Sequence, residues 1–523
     1  MAQPLPVTGD PGPEPASPAA ALFADPAARA LGRVGVVDVG SNSVRMVVFD
    51  GAARSPAYFF NEKVLCGLGI GMAQTGRLNP EGRRRALAAL RRFSVLARGM
   101  KVTPLIGVAT AAIREAADGG EFVAEVAREA GIALEVIPGR QEARLSAQGV
   151  LLGWPGAQGL VCDIGGSSME LAELAGGGVG TCETSPLGPL RLEALGLKRA
   201  ALKDHIGAEI ARLRRELPGT YARLFLVGGS WRAIARLDMA RRGYPLTVLH
   251  EYEMSPKALL ATASWLRGKD VGRLQALSGT SADRLRLVPL AAQVLRALIR
   301  TFGPRRVAIS GYGLREGLLY EQMPERLRRR DPLLEACRHM EASAARQPGF
   351  GSVLYGFLLP IFRNQSPETL RLIRAACLLH DVTWRAHPDY RAEVCFDNAT
   401  RANLGGLDHR GRVFLGTALL HRYKNSRSGT AFESVSGLLT ARELALAETV
   451  GKAMRFGAML TAATPELMGR LVFRPKLRQL ELHLGADGEA LFGEVAAARF
   501  EALSRALGAE ARVLAEGRNC LPD

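Results

Sequence analysis

The stretch GVVDVGSNSVRMVVFD, residues 35–50, decides the fold. Two apolar runs with the pattern of β-strands flank a short loop of Gly, Ser and Asn, and Asp38 ends the first run. The same arrangement returns in LVCDIGGSSMELAEL, residues 160–174, where Asp163 ends the first run. One such loop is most often a structural hairpin. Two copies separated by the length of a domain instead predict two related α/β lobes that face each other.

Strand-like and helix-like segments alternate around the two copies. VTPLIGVAT and ALEVIPG have the pattern of strands, and GGEFVAEVAREAG and RQEARLSAQGVLLG that of helices. LFLVGGSWRAIARL and VAISGYGLREGLLY each add a strand, a glycine turn and a helix, so the alternation predicts an α/β layer fold. From about residue 333 the pattern is helical, and LRQLELHL followed by a helical segment predicts a small α/β piece at the end.

The composition favours some classes of protein function over others. The formal charge of +17 favours a polyanionic partner, although an arginine-rich proteome would give the same balance. Aromatic residues are 6% of the chain without basic–aromatic alternation, which makes specific nucleic-acid binding the less attractive interpretation. No apolar run approaches a membrane span, and seven scattered cysteines without a C-x-x-C pair predict reduced thiols in a cytoplasmic protein.

The loop chemistry suits phosphate and a hard metal ion. Glycine lets the backbone approach a ligand closely, and successive N–H groups can form a concave anion site. A carboxylate at the end of a strand can hold Mg²⁺ directly or through water.

Six segments together carry a family resemblance. DVGSNSVRMVVFD and DIGGSSMEL resemble the two phosphate motifs of the acetate kinase–sugar kinase–Hsp70–actin superfold. With GVATAAIREA, VIPGRQEARL, LVGGSWRAI and ISGYGLREGLLYE in the same order, residues 33–322 resemble the exopolyphosphatase / guanosine pentaphosphate phosphohydrolase (Ppx/GppA) family. The resemblance implies an α/β fold with two actin-like (RNase H-like) lobes and a cleft between them. The predicted parts are a disordered tail 1–30, lobes 33–155 and 156–325, a helical HD-like domain 330–470 and a C-terminal α/β segment 471–523.

The resemblance also implies roles for single residues. It makes Glu142 the general base that activates water, Arg114 a phosphate-binding arginine, and Glu170 an acidic residue near the metal and the water. Asp38 and Asp163 would hold Mg²⁺ or another divalent cation. Without the resemblance, Glu142 could be a helix N-terminal glutamate favoured by the macrodipole, and Arg114 a surface arginine. The predicted phosphate-binding residues are Gly40, Ser41, Asn42, Ser43, Gly165, Gly166, Ser167 and Ser168.

Four positions depart from the family pattern. Ser167 and Met169 stand where the family commonly has Gly and Thr, so a Cβ is added and a hydroxyl is lost beside the phosphate. Arg140 and Gln141 stand where acidic residues are frequent. We expect these changes to alter phosphate contacts and substrate preference more than the activity itself.

The pair His380–Asp381 resembles the HD-type helical domain of long family members. His339 could serve as the upstream ligand, but no Asp follows between His409 and residue 486 to complete a metal site. We therefore favour an inherited helical fold over an active metal centre. Its arginines could extend a basic surface for polyphosphate or form a dimer contact. The arginines in question are Arg371, Arg374, Arg385 and Arg391.

The sequence thus predicts an exopolyphosphatase that removes terminal phosphate from inorganic polyphosphate processively. The main alternative is a phosphohydrolase of guanosine pentaphosphate (pppGpp), and a (p)ppGpp-binding sensor on the same fold stays open. A kinase is less favoured, because no nucleoside-binding feature stands out. We expect a homodimer that binds neither a membrane nor a specific nucleic acid.

Overall fold

The computed structural model describes residues 32–516 except 52–53, 427, 429, 431 and 462–467. The tail predicted at 1–30 lies outside the described residues. The described chain forms two compact units. The N-terminal unit holds residues 32–336 and 401–412, and the C-terminal unit holds 337–400 and 413–516.

The first lobe of the N-terminal unit is built on a five-stranded sheet of order β3-β2-β1-β4-β5. Strand β1 pairs antiparallel with β2 and parallel with β4, and every residue of β1 except Asp38 is buried. Its strands are β1 Val34–Val39, β2 Ser43–Phe49, β3 Tyr58–Leu65, β4 Leu105–Ala109 and β5 Leu134–Val136. Its helices are α1 Met72–Thr75, α2 Pro80–Gly99, α3 Ala111–Glu115, α4 Gly119–Ala130 and α5 Gly139–Gly153.

The second lobe repeats this sheet. Its six strands have the order β10-β11-β9-β6-β7-β8. From β8 to β11, two antiparallel pairs are followed by two parallel pairs, as they are from β3 to β5 in the first sheet. Its strands are β6 Gly159–Ile164, β7 Met169–Ala175, β8 Gly178–Ser185, β9 Arg223–Val227, β10 Glu253–Met254 and β11 Arg306–Ile309. Its helices are α6 Pro189–Ala194, α7 Arg199–Glu216, α8 Gly229–Arg242, α9 Pro256–Trp265, α10 Val271–Ser278, α11 Ala282–Phe302, α12 Leu314–Gln322 and α13 Glu325–Arg328. The repeat confirms the prediction of two related α/β lobes.

One apolar core joins the two sheets through helices α5 and α12. It contains Val36 of β1, Val161 of β6 and Leu145 of α5, all buried. The helices cross so closely that a Cβ on Gly317 would lie 1.8 Å from the backbone oxygen of Leu145. Glycine is required there for packing, and the crossing fixes the position of α5 against both sheets.

We therefore expect Gly317→Ala to lower the free energy of unfolding by about 1–3 kcal/mol, because rigid backbone must move to admit the methyl group. Urea denaturation measures the change. Gly207→Ala is the matched control, since a Cβ at Gly207 in α7 meets nothing within 4 Å. The control should gain up to about 1 kcal/mol from helix propensity. Equal effects of the two substitutions would contradict the close crossing.

The later part of the chain is helical and ends in a small sheet of order β12-β13-β14. The segment LRQLELHL forms β13 as predicted, whereas its neighbours β12 and β14 were not predicted. No helix among the described residues is long and apolar enough to cross a membrane. The helices are α14 Pro332–Ala344, α15 Phe350–Phe362, α16 Pro367–Leu379, α17 Arg391–Arg401, α18 His409–His421, α19 Ala441–Thr461, α20 Ala486–Glu489 and α21 Glu494–Leu507. The strands are β12 Arg470–Arg474, β13 Gln479–Gly485 and β14 Glu510–Glu516.

Candidate active site

The two loops singled out in the sequence are closed in the same way. The Gly40 N–H donates to the Ser43 carbonyl oxygen at 3.0 Å, and the Gly165 N–H donates to the Ser168 carbonyl oxygen at 3.0 Å. In both loops the donor lies two positions after the Asp, and the acceptor lies three positions after the donor. The repeat seen in the sequence therefore extends to the backbone of the loops.

The structure brings the two loops into direct contact. The Ser167 Oγ donates a hydrogen bond to the Ser41 Oγ at 2.9 Å, and both side chains are buried. A Cβ added at Gly166 would lie 3.5 Å from the Ser41 Cβ, and one at Gly69 would lie 3.3 Å from it. The hydroxyl that departs from the family pattern thus joins the two loops.

We expect Ser41→Ala and Ser167→Ala each to lower the free energy of unfolding by about 1 kcal/mol, because each removes the same buried hydrogen bond. The double variant should lose little more than either single variant, since the bond can be broken only once. Urea denaturation of the four proteins measures this coupling. Fully additive losses would show that the two hydroxyls do not interact.

Four carboxyl groups lie around the loops. Asp38 and Asp163 are the last residues but one of β1 and β6, Glu170 lies opposite Asp163 on β7, and Glu142 lies in the first turn of α5. Burial raises the pKa of all four groups, that of Glu142 to about 8. The negative charges of Asp163 and Asp38 raise the pKa of Glu142 further, so these groups act on one another.

The carboxyl groups have few hydrogen-bond donors. The Ser146 hydroxyl donates to Asp163 Oδ2, and Thr184 Oγ1 donates to Glu170 Oε1 at 3.2 Å. Glu170 Oε2 is buried, and no described residue offers it a hydrogen bond. A buried carboxylate oxygen without a donor is what a metal ion or its bound water would satisfy.

Arg114 lies beside Glu142. Its Nη1 donates to the Ile137 carbonyl oxygen at 2.7 Å and lies 3.5 Å from Glu142 Oε2. The Glu142 side chain is only 12% exposed, so the interaction is weakly screened. Arg114 favours the ionised form of Glu142 and orients it, while its predicted contact with phosphate stays a prediction.

Two glycine turns press against Asp163. A Cβ at Gly228, which has a φ of 112°, would lie 3.1 Å from Asp163 Oδ1 and 2.6 Å from the Ile164 carbonyl oxygen. A Cβ at Gly313 would lie 3.9 Å from Asp163 Oδ2. From the sequence, these glycines are predicted only as turns between a strand and a helix. Their backbones in fact pack beside the Asp163 carboxylate and limit the space around it.

Several arginine and lysine side chains also lie near the two loops, and the sequence alone did not assign them to the site. Arg315 Nη1 lies 3.9 Å from Asp38 Oδ2. Burial, followed by the charges of Arg315 and Arg232, lowers the pKa of Arg45 to about 10. Partial burial, followed by four neighbouring arginines, lowers the pKa of Lys63 to about 8. We call the group the cation cluster; its members are Arg45, Lys63, Arg232, Arg284 and Arg315.

The strand register shows how the two loops differ. Arg45 is the cross-strand partner of Asp38, and Glu170 is the cross-strand partner of Asp163. Arg45 therefore occupies in the first lobe the position that Glu170 occupies in the second. One side of the site pairs a carboxylate with an arginine and suits an anion, while the other has two carboxylates and suits a cation.

The sequence does contain a feature that could have indicated the cation cluster, namely arginines in the first turns of helices. Arg232, Arg284 and Arg315 lie in the first turns of α8, α11 and α12. The helix macrodipole disfavours cations at that end, so a positive residue there needs another reason. Arg232 and Arg315 even lie inside the quoted motifs LVGGSWRAI and ISGYGLREGLLYE.

The donor set fits magnesium bound partly through water. No group of three or more His, Cys, Asp or Glu residues within the described ranges is placed to hold a metal ion by itself. Mg²⁺ usually keeps several waters and takes only one or two carboxylates together with substrate phosphates. The buried Glu170 carboxylate and the partly buried carboxylates of Asp38 and Asp163 are oxygen donors of the kind that Mg²⁺ takes.

The pair His380–Asp381 is engaged within the C-terminal unit. Arg346 donates to both oxygens of Asp381, from Nε at 2.8 Å and from Nη2 at 2.6 Å. His380 is buried with its Nδ1 2.8 Å from the Cys377 carbonyl oxygen, and burial lowers its pKa to about 4. A bidentate arginine already compensates the carboxylate, which supports the structural interpretation of this pair. The basic surface proposed for the neighbouring arginines stays a prediction.

Comparison with known proteins identifies the class. Residues 47–326 match the Ppx/GppA phosphatase family, and residues 356–514 match the family described as exopolyphosphatase, C-terminal. The first match covers more than half of the chain, and the chain belongs to the Ppx/GppA phosphatase family. It is accordingly a phosphoanhydride hydrolase.

The most similar relatives include two kinds of enzyme. Exopolyphosphatase 1 of Mycobacterium tuberculosis is 27% identical over 306 residues, 56% of this chain and 88% of that protein. Guanosine-5'-triphosphate,3'-diphosphate pyrophosphatase of Aeromonas hydrophila is 27% identical over 367 residues, 66% of this chain and 72% of that protein. The structure of an exopolyphosphatase from Cytophaga hutchinsonii matches with a TM-score of 0.51 at 23% identity, covering 55% of this chain and 96% of that one. The predicted actin-like fold class is thereby confirmed.

Proposed function

We propose that the protein is an exopolyphosphatase that hydrolyses the terminal phosphate of inorganic polyphosphate. The observation that carries the proposal is the cation cluster beside the four carboxyl groups. A chain of phosphates carries one charge per unit and needs several cations in a row, whereas its reacting end needs a metal site. The net charge of +17 and the match of the C-terminal residues to an exopolyphosphatase family support the same choice.

In this proposal the residues of the site have three roles: metal binding, activation of water and phosphate binding. Asp38 and Asp163, with Glu170, would hold Mg²⁺, and a bound Mg²⁺ neutralises phosphate charge and acidifies its water. Glu142 would take a proton from the attacking water, which requires its ionised form, and Arg114 favours that form. Backbone N–H groups of residues 41–43 and 166–168, with the hydroxyls of Ser43 and Ser168, would hold the terminal phosphate, while the Gly165 N–H closes its own loop.

The cation cluster would hold the phosphates that follow the terminal one. Guanidinium groups bind phosphate oxygens in bidentate fashion, and Arg45 and Arg315 lie beside Asp38 where the chain would enter. Mutual repulsion among five cations is relieved when a polyanion binds. Binding therefore should weaken steeply with added salt.

We expect the affinity of wild-type protein for long-chain polyphosphate to fall between pH 7 and pH 9.5 more than that of the Lys63→Arg variant. Lys63, with its pKa lowered to about 8, is a cation below that pH and loses its charge above it. The arginine keeps its charge throughout. Titration calorimetry without metal measures binding separately from turnover. Parallel pH profiles for the two proteins would contradict the assignment of Lys63 to the binding site.

The second candidate is hydrolysis of pppGpp. The match to the guanosine-acting relative covers 66% of this chain, against 56% for the exopolyphosphatase. Initial rates of phosphate release with Mg²⁺ give kcat/KM for long-chain polyphosphate and for pppGpp. A higher value for polyphosphate supports our proposal, and a higher value for pppGpp would replace it. Binding of either without phosphate release would favour a sensor.

A further inference from the structure

Glu316 is a buried acidic residue that the proposed mechanism does not use. It lies in the first turn of α12 and is 2% exposed. Its Oε2 accepts from the Gly313 N–H at 2.7 Å, and its Oε1 accepts from the Tyr58 hydroxyl at 2.9 Å. Gly313 follows β11 of the second lobe and Tyr58 begins β3 of the first, so one carboxylate is bonded to both lobes. Both donors are neutral groups, and they leave the negative charge uncompensated.

The cation cluster supplies the opposite charge. Burial opposes a rise in the pKa of Arg315, but the charge of Glu316, followed by that of Asp38, raises it. Burial, followed by neighbouring arginines, lowers the pKa of Arg45 and of Arg232, and the charge of Glu316 acts against that shift in both. Among the described residues, Glu316 has no ion pair within 4 Å. It therefore acts on three arginines together and does not neutralise any one of them.

Helix capping is the simpler explanation for this residue. Glu316 is the third residue of α12, and a glutamate at that position commonly accepts from the N–H of the N-cap residue, which is Gly313 here. Capping requires only an acceptor, and glutamine supplies one as well. It does not require a negative charge among three arginines. The position of the charge, as distinct from the hydrogen bond, needs another explanation.

Asp38 and Asp163 also act on these arginines, but their proposed role is different. Both are proposed metal ligands, and a bound cation would offset their charge. Glu316 is not among the proposed ligands, and its two oxygens accept from Gly313 and Tyr58. Its charge thus stays opposed to the arginines whether or not a cation is bound.

We propose that Glu316 sets the affinity of the cation cluster for phosphate. The inference rests on the proposed function, because it assigns the cluster to phosphate binding. A fixed negative charge among the arginines repels the phosphate charges of a ligand and so weakens its binding. Weaker binding allows orthophosphate to leave and a shortened chain to advance. Because Glu316 is buried, it acts through this charge and not by direct contact with phosphate.

Titration calorimetry of the full-length protein with tripolyphosphate, without metal and at low ionic strength, tests the proposal. Glu316→Gln keeps the size of the side chain and an acceptor for the Gly313 N–H, but it removes the charge. We expect it to bind tripolyphosphate at least about 5-fold more tightly than wild type. The difference should shrink as salt is added, because salt screens the lost charge. In steady-state kinetics on long-chain polyphosphate with Mg²⁺, KM should fall without a rise in kcat.

A second neutral variant and two controls accompany this variant. Glu316→Met should also bind more tightly, which excludes a new hydrogen bond from the amide as the cause. Glu121→Gln is the matched control, because Glu121 is likewise the third residue of its helix, α4, but is exposed and paired with Arg83. It changes the net charge equally and should leave the Kd within about 2-fold of wild type. Tyr58→Phe removes one hydrogen bond of Glu316 but no charge, and it should do the same.

The outcomes separate this inference from the proposed function. Thermal unfolding of each variant verifies folding. Binding by Glu316→Gln that is equal to or weaker than that of wild type would overturn the inference and leave Glu316 as a helix cap. Equally tighter binding by Glu121→Gln would overturn it too, since net charge would then be the cause. Phosphate release from polyphosphate by wild type tests the proposed function separately, because the calorimetry requires no turnover.

Discussion

Glu142→Gln is expected to lower kcat for long-chain polyphosphate by about 10²- to 10⁴-fold and to leave KM within a few-fold of wild type. The amide keeps the shape and burial of the side chain but cannot accept a proton from water, and that is the usual size of a general-base contribution. Arg114 would keep a polar partner at Glu142, so the local structure should persist. Initial-rate kinetics with Mg²⁺ give both constants.

The matched control is Glu135→Gln, seven residues earlier in β5, where the side chain is exposed. It should show wild-type kinetics. Turnover near the wild-type rate in Glu142→Gln would remove this residue from the role of base. A rise in KM with unchanged kcat would make it a binding residue instead.

Asp163→Asn is expected to lower kcat/KM by about 10²-fold or more and to raise the Mg²⁺ concentration for half-maximal activity at least about 10-fold. The amide keeps its fit between Gly228 and Gly313 and still accepts from Ser146, but it loses the charge that favours a divalent cation. Activity measured across a Mg²⁺ titration separates weaker metal binding from slower chemistry.

Asp204→Asn on α7 is the control for this substitution, because Asp204 is exposed and lies on a helix outside the site. The control should follow the wild-type Mg²⁺ curve. An unchanged Mg²⁺ requirement in Asp163→Asn, whatever the rate, would mean that the metal is held elsewhere.

The sequence was sufficient to predict the repeat and to place its loops. Asp38 and Asp163 end apolar strands, and short polar loops follow both, so the pattern predicts equivalent hairpins. The contact between Ser41 and Ser167 could not be predicted, because it joins residues far apart in the chain. The crossing of α5 and α12 could not be predicted either, because the sequence does not show which residues approach Gly317.

The cation cluster was harder to foresee for a related reason. The chain has 68 Lys and Arg residues, so no single one stands out by composition. The sequence alone does not say whether Arg45 meets phosphate or solvent, because only the strand register places it beside Asp38. Lys63 lies on β3, an edge strand that was not predicted at all. The first-turn arginines were detectable, since their position opposes the helix macrodipole.

The asymmetry between the loops bears on the substrate that we propose. Glu170 beside Asp163 concentrates negative charge on one side, and Arg45 beside Asp38 balances it on the other. A symmetric pair of acidic loops would favour two metal ions and a short substrate. For the proposed function, this arrangement would suit one metal ion at the reacting end and a phosphate chain beyond it.

The most direct measurement is the product distribution from uniform long-chain polyphosphate incubated with the purified protein and Mg²⁺. We predict orthophosphate and residual full-length chains in the early phase, with few chains of intermediate length, because the cation cluster would hold the chain through successive cleavages. Orthophosphate should not accumulate with the Glu142→Gln protein. An absence of orthophosphate with the wild-type protein, or release from pppGpp at higher kcat/KM than from polyphosphate, would contradict the account.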